Sequence, residues 1–382
     1  MSKNKIIQEI TSHPAQLPAA GTGLIGILSS FNFVHLILSF VVSVLFIWCV
    51  GYFFCDSLRP FQYDSSLKKY IHTPHIFYKQ RSEGFAQTHK GLFGINAIPD
   101  ITKVRGNKIV VWGDSYVEAH QVNDSEKIPQ VITRKLNERG LGQQLMSFGI
   151  GMSGDSVADY FFEIPRYEHL VKDIAAHYIV ITNSKDILPD QPTDNKKGLF
   201  KSNPFGLYED NWSPKYQNIK NVFSHLNLSF VWQPALSALS APERLHFLPN
   251  IQKTEDAAAP FNKDVPSNKF LIDSWSFLLK NLRNQTKVPI IFVYAPGVPK
   301  IIKGEISDYD ENAIQIALFA DIAKGYGIEL VDTTYKFVKF NRDTGLFPRG
   351  FSNSKPSEGH FNRDGNDIVA TMIMDHFLKE EM

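Results

Sequence analysis

The hydrophobic positions of the chain follow two different patterns. Near the N-terminus, one nearly continuous apolar run covers residues 33–54 and reads FVHLILSFVVSVLFIWCVGYFF. From Lys108 onward, short β-branched runs alternate with amphipathic stretches. The first pattern is typical of a helix that crosses a membrane, and the second is typical of a parallel α/β sheet.

The apolar run lies inside a longer stretch, from Ile10 to Cys55, that contains no Asp, Glu, Lys or Arg. A run of this length can cross the hydrocarbon core of a bilayer as a helix. A buried core helix is usually shorter, and the apolar region of a cleaved signal peptide is shorter and starts earlier. We therefore expect an N-terminal segment at 1–32 and a single transmembrane helix at 33–55.

The second pattern predicts strands at 108–112, 144–148, 178–182, 289–294 and 329–332. It predicts helices between and after them at 126–139, 156–172, 271–283, 309–326 and 362–377. The expected fold is α/β, a doubly wound (flavodoxin-like) five-stranded parallel sheet with helices on both faces.

Two segments do not follow this alternation. Residues 56–106 are expected to form a connector that packs on the domain at 107–382. The stretch at about 187–270 is rich in Pro, Asn, Lys and aromatic residues. A structureless loop of that length is uncommon, so this stretch is predicted to form an inserted lid subdomain. Its aromatic side chains would either stack on sugar rings or form a core of their own.

Composition excludes several classes of protein. The 382 residues include 40 Lys+Arg and 39 Asp+Glu, so the formal net charge is only +1 and we expect no nucleic-acid partner. The only two cysteines lie before residue 56, which excludes a disulfide framework and cysteine-based zinc sites in the domain. The sequence shows neither metal-ligand spacing nor a nucleotide-binding motif, so no metal and no cofactor are expected.

The end of the first predicted strand carries the strongest candidate chemistry. It reads Gly113-Asp114-Ser115, and ligands of parallel sheets gather at the carboxyl ends of the strands. A glycine there permits a tight turn that presents the serine oxygen, although the same residues also fit a helix N-cap. A serine nucleophile needs a base, and His360 precedes the last predicted helix at a turn.

With these motifs, residues 108–380 resemble the SGNH/GDSL hydrolase superfamily. The resemblance implies that Ser115 is the nucleophile and that the backbone amide of Gly154, in the block 149–156, donates to the oxyanion. It also implies that His360, in Gly359-His360-Phe361-Asn362, is the base. The chain is most similar to bacterial members with one N-terminal span, which are often linked to acylation or deacylation of cell-surface polysaccharides.

Two blocks depart from the family pattern. The third block reads Thr182-Asn183-Ser184-Lys185-Asp186 instead of Gly-Asn-Asp, so either Asn183 or Lys185 would face the oxyanion. The aspartate that commonly lies three residues before the histidine is replaced by Ser357. Glu358 is the nearest carboxylate and is the predicted orienting acid; the alternative is a Ser-His dyad in which a carbonyl orients the imidazole.

Together these expectations describe a membrane-anchored serine esterase or O-acyltransferase that acts through an acyl-Ser115 intermediate. The substrate would be an acyl ester, acetyl first of all, of cell-surface polysaccharide, and the C-terminal domain would lie outside the cytoplasm. Partners would be the acylated carbohydrate, the membrane and envelope polysaccharide machinery. Because two family positions are displaced, the alternative is an inactive carbohydrate-binding or assembly component with the same fold.

Overall fold

The structure is a computed structural model that describes residues 33–98, 100–142, 144–187, 198–202, 205–209, 213–214, 218–220, 222 and 268–381. Most of the predicted insertion at 187–270, and the predicted segment 1–32, therefore lie outside the described residues. The chain divides into two units, Met1–Cys49 and Val50–Met382.

The apolar run forms a helix, α1 (Phe33–Phe54). Residues Val34–Phe54 have a mean hydropathy of 2.4 in their most apolar window, and no Asp, Glu, Lys or Arg interrupts them. By length and composition this helix fits either a membrane span or a signal sequence.

Between α1 and the sheet, the predicted connector forms two antiparallel hairpins. The first pairs β1 (Phe61–Asp64) with β2 (Lys69–His72), and the second pairs β3 (Phe77–Lys79) with β4 (Gln87–His89). Its apolar side chains enter the same hydrophobic core as one face of the sheet; they include Leu67, Ile71, Ile95 and Ile101, which are at most 1% exposed. The connector is therefore folded against the domain that follows it.

The central sheet has five parallel strands: β5 (Asn107–Gly113), β6 (Leu145–Gly151), β7 (Ile174–Ile181), β10 (Ile290–Tyr294) and β13 (Glu329–Asp332). Two antiparallel hairpins lie between them in sequence, β8 (Gly198–Ser202) with β9 (Phe205–Glu209), and β11 (Lys300–Ile302) with β12 (Glu305–Ser307). The strand order is β13-β10-β7-β5-β6, with every neighbouring pair parallel. This is the flavodoxin-like order, so the predicted fold class is confirmed.

The helices described after α1 are α2 (Ser115–Glu118), α3 (Ile128–Glu138), α4 (Val157–Leu170), α5 (Asn268–Gln285), α6 (Ala313–Lys324), α7 (Thr334–Thr344) and α8 (Arg363–Glu381). Successive strand residues point to opposite faces, so Val110 and Trp112 pack with α4, α5 and α6. Ile109 and Val111 pack with α3, α7 and α8 on the other face. Both faces are thus covered, which explains why these strands read as continuous apolar runs.

Candidate active site

Ser115 lies at the carboxyl edge of the sheet, at the first position of the short helix α2. The Asp114 side chain caps this turn, because Oδ1 accepts a hydrogen bond of 3.0 Å from the backbone N–H of Tyr116. The turn lies very close to β5, since a Cβ added to Gly113 would be 2.4 Å from Cγ2 of Val117. The Gly-Asp-Ser triplet therefore both caps a helix and presents a serine.

The loop before α8 brings His360 to this serine. Nε2 of His360 lies 2.9 Å from Oγ of Ser115, although 245 positions separate the two residues. The loop is fixed by Asn362, whose Oδ1 accepts from the backbone N–H of Asp364 at 3.0 Å and of Gly365 at 3.1 Å. The structure thus places the predicted nucleophile and base within hydrogen-bond distance.

The carboxylate beside His360 comes from the connector. Oε2 of Glu83, in the turn between β3 and β4, lies 2.7 Å from Nδ1 of His360, and Oε1 accepts a 2.7 Å hydrogen bond from the His360 backbone N–H. Because an ionised carboxylate can only accept, this contact places the imidazole proton on Nδ1 and leaves Nε2 free to accept from Ser115. Burial alone would raise the pKa of Glu83, but the hydrogen bonds and charge of His360 lower it overall.

Glu358 does not occupy the predicted position. Its side chain is 59% exposed and lies 3.4 Å from Nζ of Lys355. Ser357, at the family's usual acid position, accepts a 3.0 Å hydrogen bond from the backbone N–H of Ile301. The prediction of Glu358 as the orienting acid is therefore wrong, because Glu83 already fills the space at Nδ1 and the chain reverses at Gly359, where φ is +76°.

The close approach of Glu83 depends on Gly359. A Cβ added there would lie 2.2 Å from Oε1 of Glu83. Sequence reasoning missed Glu83 because it stands far from every family block, in a turn with no hydrophobic period and no motif. The glycine before His360 was the only local sign that something must come close to that loop.

The predicted oxyanion donors lie on the loops that follow β6 and β7. Gly154 has φ of +87°, a left-handed conformation that favours glycine. Asn183 uses its side chain within its own turn, since Nδ2 donates to Oγ1 of Thr182 at 3.1 Å and to Oδ1 of Asp186 at 3.3 Å. Lys185 is exposed, and its backbone N–H donates a hydrogen bond of 2.8 Å to Oδ1 of Asn183. To donate to an oxyanion, the Asn183 amide would have to break these hydrogen bonds to Thr182 and Asp186.

Two partly buried acids, Asp114 and Asp186, lie beside Ser115. Burial, and then repulsion from Asp186, raise the pKa of Asp114 to about 8, and burial also raises the pKa of Asp186. Asp186 is well hydrogen-bonded, with Oδ2 accepting from the backbone N–H of Thr182 at 2.7 Å. The raised pKa of Asp114 disfavours a second negative charge beside Asp186 and Ser115.

Arg349 joins the loops around the site and was also missed from the sequence. Its side chain is almost fully buried, and Nη2 donates to the backbone oxygens of Ala295 at 2.9 Å and Pro296 at 2.7 Å. Nη1 donates to the Tyr116 hydroxyl at 2.7 Å. The Tyr116 ring in turn lies 4.9 Å from the His360 ring, centroid to centroid. Arg349 thus holds Tyr116, the residue that follows Ser115, against His360.

Comparisons with known proteins give structural likenesses at low sequence identity. No protein-family model matches the chain, and no curated protein matches it. Among solved structures, the acetyl xylan esterase AlAXEase is 13% identical with a TM-score of 0.38, over 70% of this chain and 98% of that one. The psychrotrophic esterase EstA from Pseudoalteromonas sp. is 10% identical with a TM-score of 0.35, over 72% and 98%. The periplasmic domain of a lipopolysaccharide acetyltransferase from Salmonella ser. Paratyphi A is 11% identical with a TM-score of 0.35, over 73% and 86%. Likenesses at this level do not define a shared activity or substrate.

Proposed function

We propose that this chain is a serine esterase or O-acyltransferase of the SGNH type. The observation that carries the proposal is the continuous line of contacts from Ser115 Oγ to His360 Nε2, at 2.9 Å, and from His360 Nδ1 to Glu83 Oε2, at 2.7 Å. A nucleophile, a base and a carboxylate that orients the base are the three parts that acyl transfer through a serine requires.

In the proposed reaction, His360 Nε2 removes the proton of Ser115 as Oγ bonds to the ester carbonyl carbon. Glu83 stabilises the imidazolium that forms, because its carboxylate faces Nδ1. The backbone N–H groups of Ser115 and Gly154 hold the oxyanion, with Asn183 or Lys185 as a third donor. Collapse of the intermediate breaks the ester bond, and His360 returns the proton to the leaving alcohol.

The acyl-Ser115 intermediate is then resolved by a second hydroxyl. Water would give a carboxylic acid and complete hydrolysis, whereas a sugar hydroxyl would give a new ester and complete transfer. In both cases His360 removes the proton of the attacking hydroxyl and returns it to Oγ. The same residues serve both outcomes, so the choice depends on which acceptor reaches the acyl group.

We further propose that α1 anchors the protein in a membrane and that the domain acts outside the cytoplasm on acetyl esters of cell-surface polysaccharide. The apolar helix and the family resemblance support this placement and this substrate. The alternative of an inactive binding component rested partly on the missing family aspartate, and Glu83 weakens that reason because it supplies a carboxylate at Nδ1.

A fluorophosphonate probe tests the reaction class. The full chain in mild detergent should become labelled at Ser115, and Ser115→Ala should remove the label. Failure of the folded wild-type chain to react would contradict the proposal and favour the binding component. A C-terminal alkaline phosphatase fusion tests placement separately, since it should be active only if the domain is exported.

A further inference from the structure

A second group of titratable side chains lies where the connector meets the nucleophile turn. It consists of His72 at the end of β2, Glu118 at the end of α2, and His120. All three are at most 2% exposed. One ligand atom from each, an imidazole nitrogen or a carboxylate oxygen, lies within 4.8 Å of the others.

Two chain segments that are distant in sequence build this cluster. His72 comes from the first connector hairpin, whereas Glu118 and His120 follow Ser115 within five positions. Ala119 lies between them in a left-handed conformation, with φ of 48° and ψ of 55°, and ends α2 there. The turn lets Glu118 and His120 reach the same interior point.

The hydrogen bonds of the cluster are incomplete. Nε2 of His72 makes a close contact with Oε1 of Glu118, and Nε2 of His120 lies 3.3 Å from the same oxygen without hydrogen-bond geometry. By hydrogen-bond geometry, neither nitrogen of His120 nor Nδ1 of His72 has a partner within the described part of the chain. Buried polar atoms are normally satisfied, so Nε2 of His120, which faces the Glu118 carboxylate at 3.3 Å without bonding to it, indicates a missing ligand at this point.

The donor atoms of the cluster suit a cation. Zinc binds a neutral imidazole through a nitrogen lone pair and a carboxylate through an oxygen. The positive side chains near the cluster have hydrogen-bond partners of their own: Lys90 Nζ donates to Asn96 Oδ1 at 2.5 Å, and Arg59 Nη2 donates to Gln80 Oε1 at 2.7 Å.

We propose that His72, Glu118 and His120 bind one zinc ion that fixes the connector to the nucleophile turn. Two imidazoles and one carboxylate form a donor set that zinc binds, whereas calcium and magnesium prefer oxygen ligands throughout. A water molecule would complete the tetrahedron. The site is closed to solvent, so the ion would be structural. This proposal is independent of the esterase reaction.

The test uses the full chain without a polyhistidine tag, purified in detergent, incubated with zinc and dialysed. We expect about one zinc per chain by elemental analysis, and X-ray absorption with two imidazoles at ~2.0–2.1 Å. Removal with a strong chelator should lower the thermal unfolding midpoint by about 5 °C or more, and zinc should restore it. His72→Gln and His120→Gln should each lose the zinc.

The matched control is His376→Gln. His376 belongs to a second group with Glu329 and Glu380, which is more exposed and holds a single histidine. The proposal would be overturned if His376→Gln lost the zinc while His72→Gln kept it. It would also be overturned if the wild-type chain retained no zinc and the chelator did not change its thermal unfolding midpoint. If His72→Gln fails to fold, the X-ray absorption spectrum of the wild-type chain decides. Two imidazole ligands on the zinc support the assignment, and one or none contradicts it.

Discussion

Two turns carry a glutamate toward the region of His360, and only one of them reaches the imidazole. Glu83 is 277 positions away in sequence, yet both of its oxygens lie 2.7 Å from nitrogens of His360. Glu358 is two positions away, yet its side chain is 59% exposed. The direction of a turn, and not the distance along the chain, decides which carboxylate meets the imidazole.

The two turns also differ in how they are held. The Glu83 turn is tied on both sides, because Asn353 Oδ1 accepts from the Gly84 N–H at 2.8 Å and Asp56 Oδ1 accepts from the Ser82 N–H at 3.0 Å. Glu358 has an exposed contact with Lys355, and such ion pairs contribute little to stability. A carboxylate that orients a base must be fixed, and only Glu83 is.

The largest loss of activity is expected when Ser115 or His360 is replaced. Ser115→Ala and His360→Ala should each lower kcat on a p-nitrophenyl ester by ~10³-fold or more, because they remove the nucleophile or the base. The thermal unfolding midpoint should change little, which circular dichroism can check. Near-normal turnover in either variant would show that the contact between Ser115 and His360 is not the reacting pair.

The next variants separate the two glutamates directly. Glu83→Gln should lower kcat on the order of 10³-fold, because a neutral amide cannot stabilise the imidazolium and can hold the wrong tautomer. Glu358→Gln is the same chemical change on the other turn and should alter kcat by less than about 3-fold, as expected for a solvated side chain. Equal losses in the two variants, or a larger loss in Glu358→Gln, would reverse the comparison.

Two glycine variants then test whether the approach of Glu83 to its loop matters. Gly359→Ala places a Cβ 2.2 Å from Glu83 Oε1 at φ of +76°, whereas Gly345→Ala has φ of +71° and no atom within 4 Å. Both carry similar backbone strain, and Gly359→Ala adds the contact with Glu83, so Gly359→Ala should be destabilised at least as much as Gly345→Ala. Only Gly359→Ala should lose activity at temperatures where it is folded, by about 10-fold or more. Matching activities in the two variants would indicate that the contact is not needed.

The smallest effect is a pH dependence of stability. Since the folded state depresses the pKa of Glu83, its contribution is fully present above the unfolded value of ~4.3 and is lost as pH falls through the folded value. The unfolding midpoint of the wild type should therefore exceed that of Glu83→Gln by a margin that shrinks below about pH 4. Scans at several pH values measure this margin, and a margin that stays constant would argue against a charged Glu83.

Much of the fold could be predicted because buried parallel strands leave a clear pattern. Residues 329–332 were predicted without error, and the strand at 108–112 extends by one residue at each end to Asn107–Gly113. Helix α7 was missed, since its sequence TYKFVKFNRDT is mostly polar and buries only Phe337 and Asn341. The hairpin of β11 and β12 was missed because each strand has three residues, too few to show a period.

Some residues of the candidate site could be predicted from the sequence, and others could not. Ser115 and His360 follow strand and helix boundaries, so a motif locates them. Glu83 and Arg349 act through tertiary contacts across 277 and 233 positions, to His360 and Tyr116 respectively, and no local pattern reports such contacts. Asn183 illustrates the opposite case, because its residue type fitted the motif while its amide is bonded within its own turn.

The contact between Glu83 and His360 also has a consequence for the order of folding. It closes a loop of 277 residues, so it raises the contact order of the protein and carries a large closure entropy. During synthesis the acid is made long before the base, and a chain that stops before residue 360 has a nucleophile and a carboxylate with no imidazole between them. Complete chemistry would then be among the last properties the chain acquires, and ester turnover would serve as a readout of full-length folding.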